Sequence, residues 1–434
     1  MMKRVVVVGS SLAGLRACET LRQEGFDGEI SLVGAESEIP YDRPPLSKKV
    51  LAGEWEINRI RLRKPDDFAG LALDMHLGNA ATALLVDSRV LTLADGRELP
   101  FDGLVIATGA APRRLPNQPD IDGVVELRTL ADSVALRDRI ADGEARVTVI
   151  GAGFIGLEVA ATARRLGCAV TVLEGATAPL TRGLGAAMGT VVAAVHTRHG
   201  VDLRCGVNVA SIEGDGSGNG SGNGSGNGSG NGSGNGSKVT TVRLSDGTLI
   251  ASDVVVVGVG VAPATQWLAD SGLKLGDGVV CDATLQTSAP GIYAAGDCAR
   301  WPNGVFAGFD DEEMRIEHWT NAAEQGAAAA RNMLAVARGE TATPYESVPF
   351  FWSDQFDSRI QFVGRAHGDD EVHVFAGDPA DETGGGFAAL YGFQGRLRGV
   401  LGVNMSKLVM PFRALLAAKA TWSEAVKTAR SLAT

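Results

Sequence analysis

The most informative chemical pattern in the sequence is a glycine triplet, G-x-G-x-x-G, formed by Gly151, Gly153 and Gly156. An apolar run from Val147 precedes it, and an Ala-rich helical pattern and a second apolar run ending in Glu174 follow it. In such a unit the glycines permit a tight turn and close approach of a pyrophosphate, which lies on the helix N-terminus. Glu174 stands where a carboxylate would meet an adenosine 2′-hydroxyl. The order predicts a dinucleotide site; the alternative is a glycine-rich turn without a ligand.

A second pattern of this kind opens the chain. Four valines precede the turn Gly9-Ser10-Ser11-Leu12-Ala13-Gly14, a helical stretch follows, and a further apolar run extends from Ile30 to Gly34. Ser11 replaces the middle glycine, and Glu36 is the acidic candidate for the ribose because Ala35 occupies the usual position. Two units predict two nucleotide sites, the second of which most simply holds a flavin nucleotide. The alternative is a duplicated scaffold with one empty site.

Three other apolar runs end in small residues and predict buried strands that lead into turns. They end at Ala107, Thr108 and Gly109, at Gly258 and Gly260, and at Gly296 and Asp297. A carboxylate just after the carboxyl end of a strand, such as that of Asp297, can accept hydrogen bonds from a polyol chain. The alternative is that Asp297 caps a helix.

The cysteine pattern excludes two kinds of redox chemistry. The five cysteines are Cys18, Cys168, Cys205, Cys281 and Cys298, and none forms C-x-x-C or C-x-x-x-x-C. A local redox disulfide and the usual zinc or iron–sulfur spacings are therefore not predicted, and no metal site is expected. The number of cysteines is compatible with a protein of the reducing cytoplasm. Redox chemistry must then come from a bound organic cofactor, and Cys298 is expected to be a small buried residue.

The elements that must position these residues divide into domains. The chain has 434 residues, of which 45% are apolar and 21% charged, and this predicts two or three folded domains. We expect an α/β fold with two Rossmann-like dinucleotide-binding domains and a C-terminal α+β domain. The first nucleotide-binding domain is assigned to 1–112 and 258–328, the second to 113–257, and the C-terminal domain to 329–434. In the last, alternating runs predict an antiparallel sheet and two helices follow: Arg359–Val363, Glu371–Phe375, Phe387–Phe393, Leu397–Val403, Phe412–Ala418 and Ser423–Leu432.

A low-complexity segment interrupts the second nucleotide-binding domain. Five tandem copies of Gly-Ser-Gly-Asn occupy Gly216–Asn235, between β patterns near Ile212 and at Val239–Leu244. Its composition predicts a flexible coil over 214–237 that loops out of a hairpin, and no function is assigned to it.

Charge and hydropathy limit the partners. The net charge is −11 and the pI about 5.2, which argues against nucleic acid as the main partner. No run of 18 apolar residues exists, so no membrane span is predicted. The N-terminal MMKRVVVVGSS is interpreted as a first strand, and not as a signal peptide. We expect a cytoplasmic monomer or weak dimer.

Longer motifs carry a family resemblance. They are PYDRPPLSK (Pro40–Lys48), IGAGFIGLEVAA (Ile150–Ala161), YAAGDCA (Tyr293–Ala299), RIEHWTNAAEQG (Arg315–Gly326) and PFFWSDQFD (Pro349–Asp357). With them the chain resembles the FAD-dependent, NADH-using ferredoxin reductases of bacterial oxygenase systems, such as putidaredoxin, rhodocoxin and rubredoxin reductases. The wider flavoprotein group includes glutathione reductase and apoptosis-inducing factor. One departure is Asn404–Lys407, where the family commonly has Asn-Arg-Pro.

The resemblance implies two cofactors, FAD and NADH, and the residues that hold them. For FAD these are Gly9, Ser11, Leu12, Ala13, Gly14, Glu36, Arg43, Lys48, Ala81, Ala107, Thr108, Gly109, Arg128, Gly296, Asp297, Glu317, His318 and Trp319. For NADH they are Gly151, Gly153, Phe154, Ile155, Gly156, Glu158, Glu174 and Gly260. Lys48 and Glu158 are the candidate catalytic residues, expected to pair near the flavin. His318 is alternatively a packed or surface histidine.

The implied activity is electron transfer from NADH through FAD to a small iron–sulfur ferredoxin, or a rubredoxin, that serves an oxygenase. Lys48 would supply stabilising positive charge, and Glu174 favours NADH over NADPH. Phe350, Phe351, Trp352 and Trp319 would shield the flavin, unless they are core residues. An acidic acceptor needs a basic surface on which to dock. The sequence offers two candidates: Arg59, Arg61, Arg63 and Lys64, or Arg300 with Arg315. Alternatively, either group is simply a solvated surface.

Two other functions have the same fold. An NADH oxidase or coenzyme A disulfide reductase would need a cysteine near Leu46–Ser47, where the sequence has none. A protein like apoptosis-inducing factor would sense NADH and change its association.

Overall fold

The computed structural model describes residues 2–216, 237–309, 313–381 and 385–433. The first segment contains a predicted β–α–β unit followed by a small antiparallel sheet and a return to the first sheet. Its elements are β1 (Arg4–Val8), α1 (Leu12–Gln23), β2 (Glu29–Val33), β3 (Leu73–His76), β4 (Ala81–Leu85), β5 (Val90–Leu93), β6 (Glu98–Pro100), β7 (Gly103–Ile106) and β8 (Ala110–Pro112). Between β2 and β3, Pro44 and Pro45 begin a short 3-10 turn that ends at Ser47.

The second segment repeats this architecture and adds a hairpin. Its elements are β9 (Val124–Val125), α2 (Leu130–Ile140), β10 (Arg146–Ile150), α3 (Phe154–Arg165), β11 (Ala169–Glu174), α4 (Thr181–Arg198), β12 (Asp202–Cys205), β13 (Val209–Gly214), β14 (Val239–Leu244), β15 (Leu249–Ala251) and β16 (Val254–Val257). β13 and β14 pair as the predicted hairpin, with Gly214 opposite Val239. The Gly-Ser-Gly-Asn repeat between them lies, from residue 217 on, outside the described residues.

The third segment returns to the first domain. Its elements are β17 (Val261–Pro263), β18 (Leu275–Gly276), β19 (Gly278–Val280), β20 (Ile292–Ala294), β21 (Ala299–Pro302), β22 (Glu313–Met314) and α5 (Trp319–Ala337). β20 completes a parallel sheet of order β20-β7-β1-β2-β3, and the second domain has the parallel order β12-β11-β10-β16-β9. Both faces of such sheets are covered, which is why Val5–Val8 and Val254–Val257 are continuous apolar runs.

The C-terminal domain is an antiparallel sheet of order β23-β24-β27-β26-β25 with helices after it. Its elements are β23 (Phe350–Gln355), β24 (Ser358–Gly364), β25 (Glu371–Gly377), β26 (Phe387–Phe393), β27 (Arg396–Val403), α6 (Ser406–Val409), α7 (Phe412–Ala417) and α8 (Trp422–Ala433). The alternating runs therefore form the strands predicted for them. α5 continues past residue 329, where we placed the start of this domain, and its buried residues Ala329, Ala330 and Met333 belong to the core cluster that includes β1 and β7.

Two features of the described residues bear on function. No helix in them is long and apolar enough to cross a membrane. No group of three or more His, Cys, Asp or Glu side chains in them is arranged to hold a metal ion.

Candidate functional site

The carboxyl ends of four parallel strands surround a cavity. β1, β2, β7 and β20 pair in register, so that Val8 lies opposite Val33 and Ile106, and Ile106 lies opposite Ala294. The turns that follow these strands line a cavity of about 570 Å³, within the roughly 300–1,000 Å³ of ligand pockets. Open α/β sheets bind ligands at this edge because all the turns, and the helix N-termini behind them, converge there.

The turn between β1 and α1 suits a phosphate group. Gly9 has φ +121°, and a Cβ on Gly14 would lie 1.9 Å from the Gly9 carbonyl oxygen, so α1 can begin this close to β1 only with glycine at these positions. Ser11 precedes α1 without making a side-chain capping bond. The N–H groups at this helix end favour an anion. Ser11 in place of the middle glycine is therefore compatible with the predicted cradle.

Two arginines and two carboxylates join in the wall of the cavity. Arg43 donates to Glu36 Oε1 and to the Arg128 carbonyl, both at 2.6 Å, and Arg128 donates to Asp297 Oδ2 at 3.0 Å. Tyr41 Oη donates to Glu36 and accepts from the Leu130 amide at 3.0 Å. Guanidinium groups suit a pyrophosphate and a carboxylate suits hydroxyls, so this donor set fits FAD.

An ion pair closes another side of the cavity. Lys48 Nζ lies 2.8 Å from Glu158 Oε1, with the two side chains 16% and 6% exposed. Ser47 Oγ donates to Glu158 Oε2 at 2.5 Å, and Ser353 Oγ donates to Oε1 at 2.6 Å. One ammonium and two hydroxyls thus compensate the burial of this carboxylate. The expected pairing of Lys48 with Glu158 is confirmed.

Aromatic residues form the mouth of the cavity. Trp319 Nε1 donates to Asp42 Oδ1 at 2.7 Å, and the Trp319 and Trp352 rings lie 6.1 Å apart. Phe351 packs against Phe154 at 4.7 Å between ring centroids. Trp319, Phe351 and Trp352 all line the cavity, so they are not core residues alone. Burial raises the pKa of Asp42, whereas the hydrogen bond from Trp319 and the charge of Lys48 act to lower it.

Two titratable groups precede α5. Desolvation lowers the pKa of His318 to about 4; Asp297 opposes this effect and Arg365 adds to it. His318 is therefore neutral at pH 7 and packs against Phe351, 4.9 Å away between ring centroids. Desolvation raises the pKa of Glu317, which Arg315 counteracts. His318 is a packed residue that also lines the cavity.

The second glycine turn has the geometry expected for NADH. A Cβ on Gly156 would lie 2.2 Å from the Gly151 carbonyl oxygen, whereas a Cβ on Gly153 would have no neighbour within 4 Å. The space beside the middle glycine is open, as a pyrophosphate requires. Glu174 Oε2 accepts from the Ala152 amide and Oε1 from the Ala176 amide, both at 2.8 Å. The carboxylate is thus anchored to the glycine turn itself.

Most of the predicted site residues line the cavity, and six lie outside its lining. The cavity is lined by Gly9, Ser11, Leu12, Ala13, Glu36, Arg43, Lys48, Ala81, Ala107, Thr108, Gly109, Arg128, Phe154, Ile155, Glu158, Gly296, Asp297, Glu317, His318 and Trp319. Gly14, Gly151, Gly153, Gly156, Glu174 and Gly260 are not among the lining residues. Tyr41, Asp42 and Trp267 line the cavity without a predicted role. The first two belong to the motif Pro40–Lys48, whereas nothing in the sequence singles out Trp267.

Comparison with known proteins decides the family. Residues 3–326 match the family model described as pyridine nucleotide-disulphide oxidoreductase, and residues 350–432 match one described as reductase C-terminal. The chain belongs to the pyridine nucleotide-disulphide oxidoreductase family. Members of this family use FAD and NAD(H). The expected oxidoreductase class, fold and cofactors are therefore confirmed.

Several relatives within this family match the chain over most of its length. A ferredoxin–NAD(P)+ reductase of a Sphingomonas species is 37% identical over 417 residues, covering 96% of this chain and 93% of its own. Putidaredoxin reductase of Pseudomonas putida is 37% identical over 375 residues, covering 85% and 82%. The solved covalent putidaredoxin reductase–putidaredoxin complex matches with a TM-score of 0.86 at 33% identity, covering 99% of both chains. These matches confirm the family resemblance.

The disulphide in the family's name has no counterpart in this structure. All five cysteines are free, and Cys18, Cys168, Cys281 and Cys298 are buried. Cys298 is a small buried residue, as predicted. A water-forming NADH oxidase of Lactobacillus brevis matches with a TM-score of 0.80 at 20% identity, which shows a shared fold only.

Proposed function

We propose that this protein is a flavoprotein reductase that passes electrons from NADH through FAD to a small iron–sulfur ferredoxin serving an oxygenase. The observation that carries the proposal is the cavity at the ends of β1, β2, β7 and β20, which α3 of the second domain also lines with its ion-paired Glu158. Relatives named as reductase components of oxygenase systems support this acceptor, among them that of the p-cumate 2,3-dioxygenase system at 36% identity.

Bound FAD supplies the redox chemistry, since a flavin accepts a hydride and releases electrons singly. The residues of the chain bind and orient it. The turn at Gly9–Ala13 would hold the pyrophosphate, and Arg43 would lie along the cofactor. Arg128 would approach the flavin from the nicotinamide side, and Asp297 would accept hydrogen bonds from the ribityl hydroxyls. Ala81 lies in the segment that holds the adenine.

Lys48 supplies charge at the reacting end of the cavity. Its ammonium is held at one position by Glu158 Oε1, 2.8 Å away. There it would stabilise the negative charge of a reduced flavin bound beside it. Because Ser47 and Ser353 also donate to Glu158, the carboxylate offsets the lysine only in part. Neither side chain has to exchange a proton for this effect.

The choice of nicotinamide cofactor follows from Glu174. Its carboxylate is fixed at the end of β11 by the amides of Ala152 and Ala176. A fixed negative charge accepts hydrogen bonds from a ribose 2′-hydroxyl and repels a 2′-phosphate. NADH is therefore the preferred donor.

The acceptor docks on the basic stretch Arg59, Arg61, Arg63 and Lys64. The stretch adjoins the cavity, because the Asp42 amide donates to the Ile60 carbonyl at 2.7 Å and Arg61 forms a β-bridge with Tyr41. The other candidate, Arg300 with Arg315, is already neutralised: Arg315 pairs with Asp277 and Glu317, and Arg300 pairs with Glu313. In the first stretch Arg63 pairs with Glu19, whereas Arg59, Arg61 and Lys64 are exposed. These three charges make the first stretch fit an acidic partner better. We also propose that the protein is a monomer or weak dimer and that it is located in the cytoplasm. Its five free thiols support the cytoplasmic location, because thiols stay reduced there.

The test is steady-state NADH oxidation with cytochrome c as final acceptor, with and without a panel of two-iron ferredoxins. We expect a yellow protein whose rate is low alone and rises strongly with one ferredoxin. A protein that takes up no FAD contradicts the cofactor assignment. NADH oxidation that is as fast with O2 alone as with any ferredoxin, and that consumes one O2 per two NADH (water formed) or per NADH (peroxide formed), identifies an oxidase instead.

A further inference from the structure

A buried chain of hydrogen bonds ends on Glu158. Ser353 Oγ lies 2.6 Å from Glu158 Oε1, Gln355 Nε2 lies 3.0 Å from Ser353 Oγ, and His196 Nε2 lies 2.9 Å from Gln355 Oε1. Ser353, Gln355 and His196 are each 0% exposed. The chain starts on α4 of the second domain, crosses β23 of the C-terminal domain and reaches the cavity. Electron transfer by itself requires none of these three side chains.

The charge of Glu158 sets the direction of every bond in this chain. An ionised carboxylate only accepts hydrogen bonds, so Ser353 must give its one hydroxyl proton to Glu158 and accept from Gln355. Gln355 then turns its amide N–H toward Ser353 and its carbonyl toward His196. His196 must therefore carry its proton on Nε2, which leaves Nδ1 as a buried acceptor with no partner among the described residues.

The surroundings of His196 hold it in this form. Burial lowers the pKa of His196 to about 4, against the hydrogen bond with Gln355, so the ring is neutral at pH 7 and has one N–H to give. Phe356 presents its ring at 5.2 Å between centroids. A second bond ties α4 to the same domain, from Tyr391 Oη to the Leu184 carbonyl at 2.8 Å. α4 and the C-terminal sheet therefore pack directly against each other around the chain.

We propose that Ser353, Gln355 and His196 form a positioning relay through which the C-terminal domain holds Glu158, and with it Lys48, in place at the cavity. The relay rests on the proposed function of the Lys48–Glu158 pair. Ser353 is the positioning residue that touches Glu158, Gln355 orients the Ser353 hydroxyl, and His196 orients Gln355. Loss of Ser353 removes one of two hydroxyl donors from a buried carboxylate, whose charge then offsets more of the Lys48 charge. The effect must decrease from Ser353 to Gln355 to His196.

The first test compares Ser353→Ala, Gln355→Leu and His196→Phe in the FAD-loaded protein. The matched control is Ser252→Ala, because Ser252 is also fully buried and its hydroxyl bonds Thr148 and the Ile250 carbonyl outside this chain. We expect flavin reduction by NADH to slow about three- to tenfold in Ser353→Ala, less in Gln355→Leu and least in His196→Phe. The midpoint potential of the bound flavin should become more negative in the same order.

Melting temperatures separate positioning from stability. If the three side chains had a structural role only, the melting temperature would fall most where the largest buried side chain is replaced, at His196 or Gln355. The midpoint potential of the flavin would then not change. Ser353→Thr, which keeps the hydroxyl, should restore the potential and most of the rate. If Ser353→Ala has the rate and the potential of Ser252→Ala, the relay does not exist.

The second test reads the proton on His196 directly. In protein labelled with 15N at its six histidines, side-chain NMR distinguishes a proton on Nε2 from one on Nδ1, and His196→Phe identifies the signal. We expect the Nε2-protonated neutral form at pH 7, and a loss of this preference in Gln355→Leu. A proton on Nδ1 overturns the relay even if NADH reduces the flavin. The expected tautomer together with no reduction of the flavin by NADH overturns the proposed function and leaves the chain intact.

Discussion

Lys48 and Glu158 lie on different domains and far apart in sequence, yet their charged atoms meet at 2.8 Å. Lys48 follows the short turn that Pro44 and Pro45 begin, and Glu158 lies on α3. A buried pair is unfavourable when either partner keeps unused hydrogen-bonding capacity. Ser47 and Ser353 use that capacity on Glu158. At the residue scale, the site therefore consists of one charge pair and the hydroxyls that support it.

Replacing Lys48 tests the charge at the reacting end. We expect Lys48→Met to slow single-turnover flavin reduction by NADH about 10- to 100-fold, since one charged group is removed from a partly dry site. FAD should still bind, because other residues hold its phosphates. The control is Lys49→Met, since the Lys49 side chain is half-buried and pairs with Glu54 at 2.5 Å instead of with Glu158. Equal rates in the two variants would contradict the role of Lys48.

Replacing Glu174 tests the choice of cofactor. Glu174→Gln keeps an acceptor oxygen for one of the two backbone amides, those of Ala152 and Ala176. It removes the charge that repels a 2′-phosphate. The ratio of kcat/KM for NADH to that for NADPH should fall about tenfold, or roughly 1.4 kcal/mol. Glu213→Gln is the control, because this carboxylate pairs with Arg243 on the hairpin of the same domain. If the unmodified protein already uses NADPH as well as NADH, the assignment of Glu174 is wrong.

At the scale of elements, the start of α5 brings a neutral histidine to the cavity. Desolvation lowers the pKa of His318 from its ordinary value of 6.5 to about 4, and the positive end of a helix also disfavours a cation there. The unfolded chain therefore takes up this proton near pH 6.5 and the folded protein only near pH 4. The stabilising contribution is complete above pH 6.5 and is lost as the pH falls toward 4.

A variant isolates this contribution. Over the same interval, the free energy of unfolding of His318→Gln should fall less steeply than that of the unmodified protein, by up to about 1.4 kcal/mol per pH unit. Urea denaturation at several pH values between 7 and 4 measures both slopes. His367→Gln, at an exposed histidine, should leave the slope unchanged. Parallel curves for His318→Gln and the unmodified protein would show that His318 titrates normally.

We expect the hairpin of β13 and β14 to tolerate a shorter connection. Asp215, Ser237 and Lys238 bond one another beside the last paired residues, so deletion of residues 217–236 leaves a short turn with its contacts. If the deleted residues are the coil that their composition predicts, the shorter loop should stabilise the fold by about 1.5 kcal/mol. NADH oxidation should not change. A loss of activity with normal stability would assign a function to the repeat.

At the scale of the whole molecule, the net charge of −11 opposes an acidic acceptor, so docking must depend on a local basic surface. The rate of the acceptor reaction should fall about tenfold when ionic strength rises from roughly 10 to 200 mM, whereas flavin reduction by NADH should not change. Arg61→Glu should lower the rate at low salt. The control is Arg338→Glu, since exposed Arg338 lies beyond the far end of α5, roughly 28 Å from its first turn. Flat salt dependence excludes docking by charge.

Local patterns made much of the fold predictable. The valine runs at Val5–Val8 and Val254–Val257 form central parallel strands, because a strand buried on both faces is apolar throughout. The alternating residues in 350–403 form an antiparallel sheet, because a strand buried on one face alternates apolar and polar residues. Both glycine turns formed where Gly9 and Gly151 require positive φ. The extent of α5 was not apparent, because a helical pattern does not reveal that residues such as Met333 complete the core around β1 and β7.

The sequence by itself determined the two nucleotide cradles, the absence of a paired-cysteine motif and the negative charge at Glu174, because each depends on residues close together in the chain. Only the tertiary structure decided that Tyr41 engages Glu36, that Arg315 is neutralised and that Ser353 and His196 support Glu158. The bonds of Ser353 and His196 join different domains, and that of Arg315 with Asp277 joins separate segments of one domain. Nothing in a local pattern specifies which donor will reach which acceptor once these segments pack. The physical reason is that a buried carboxylate must find its partners in three dimensions.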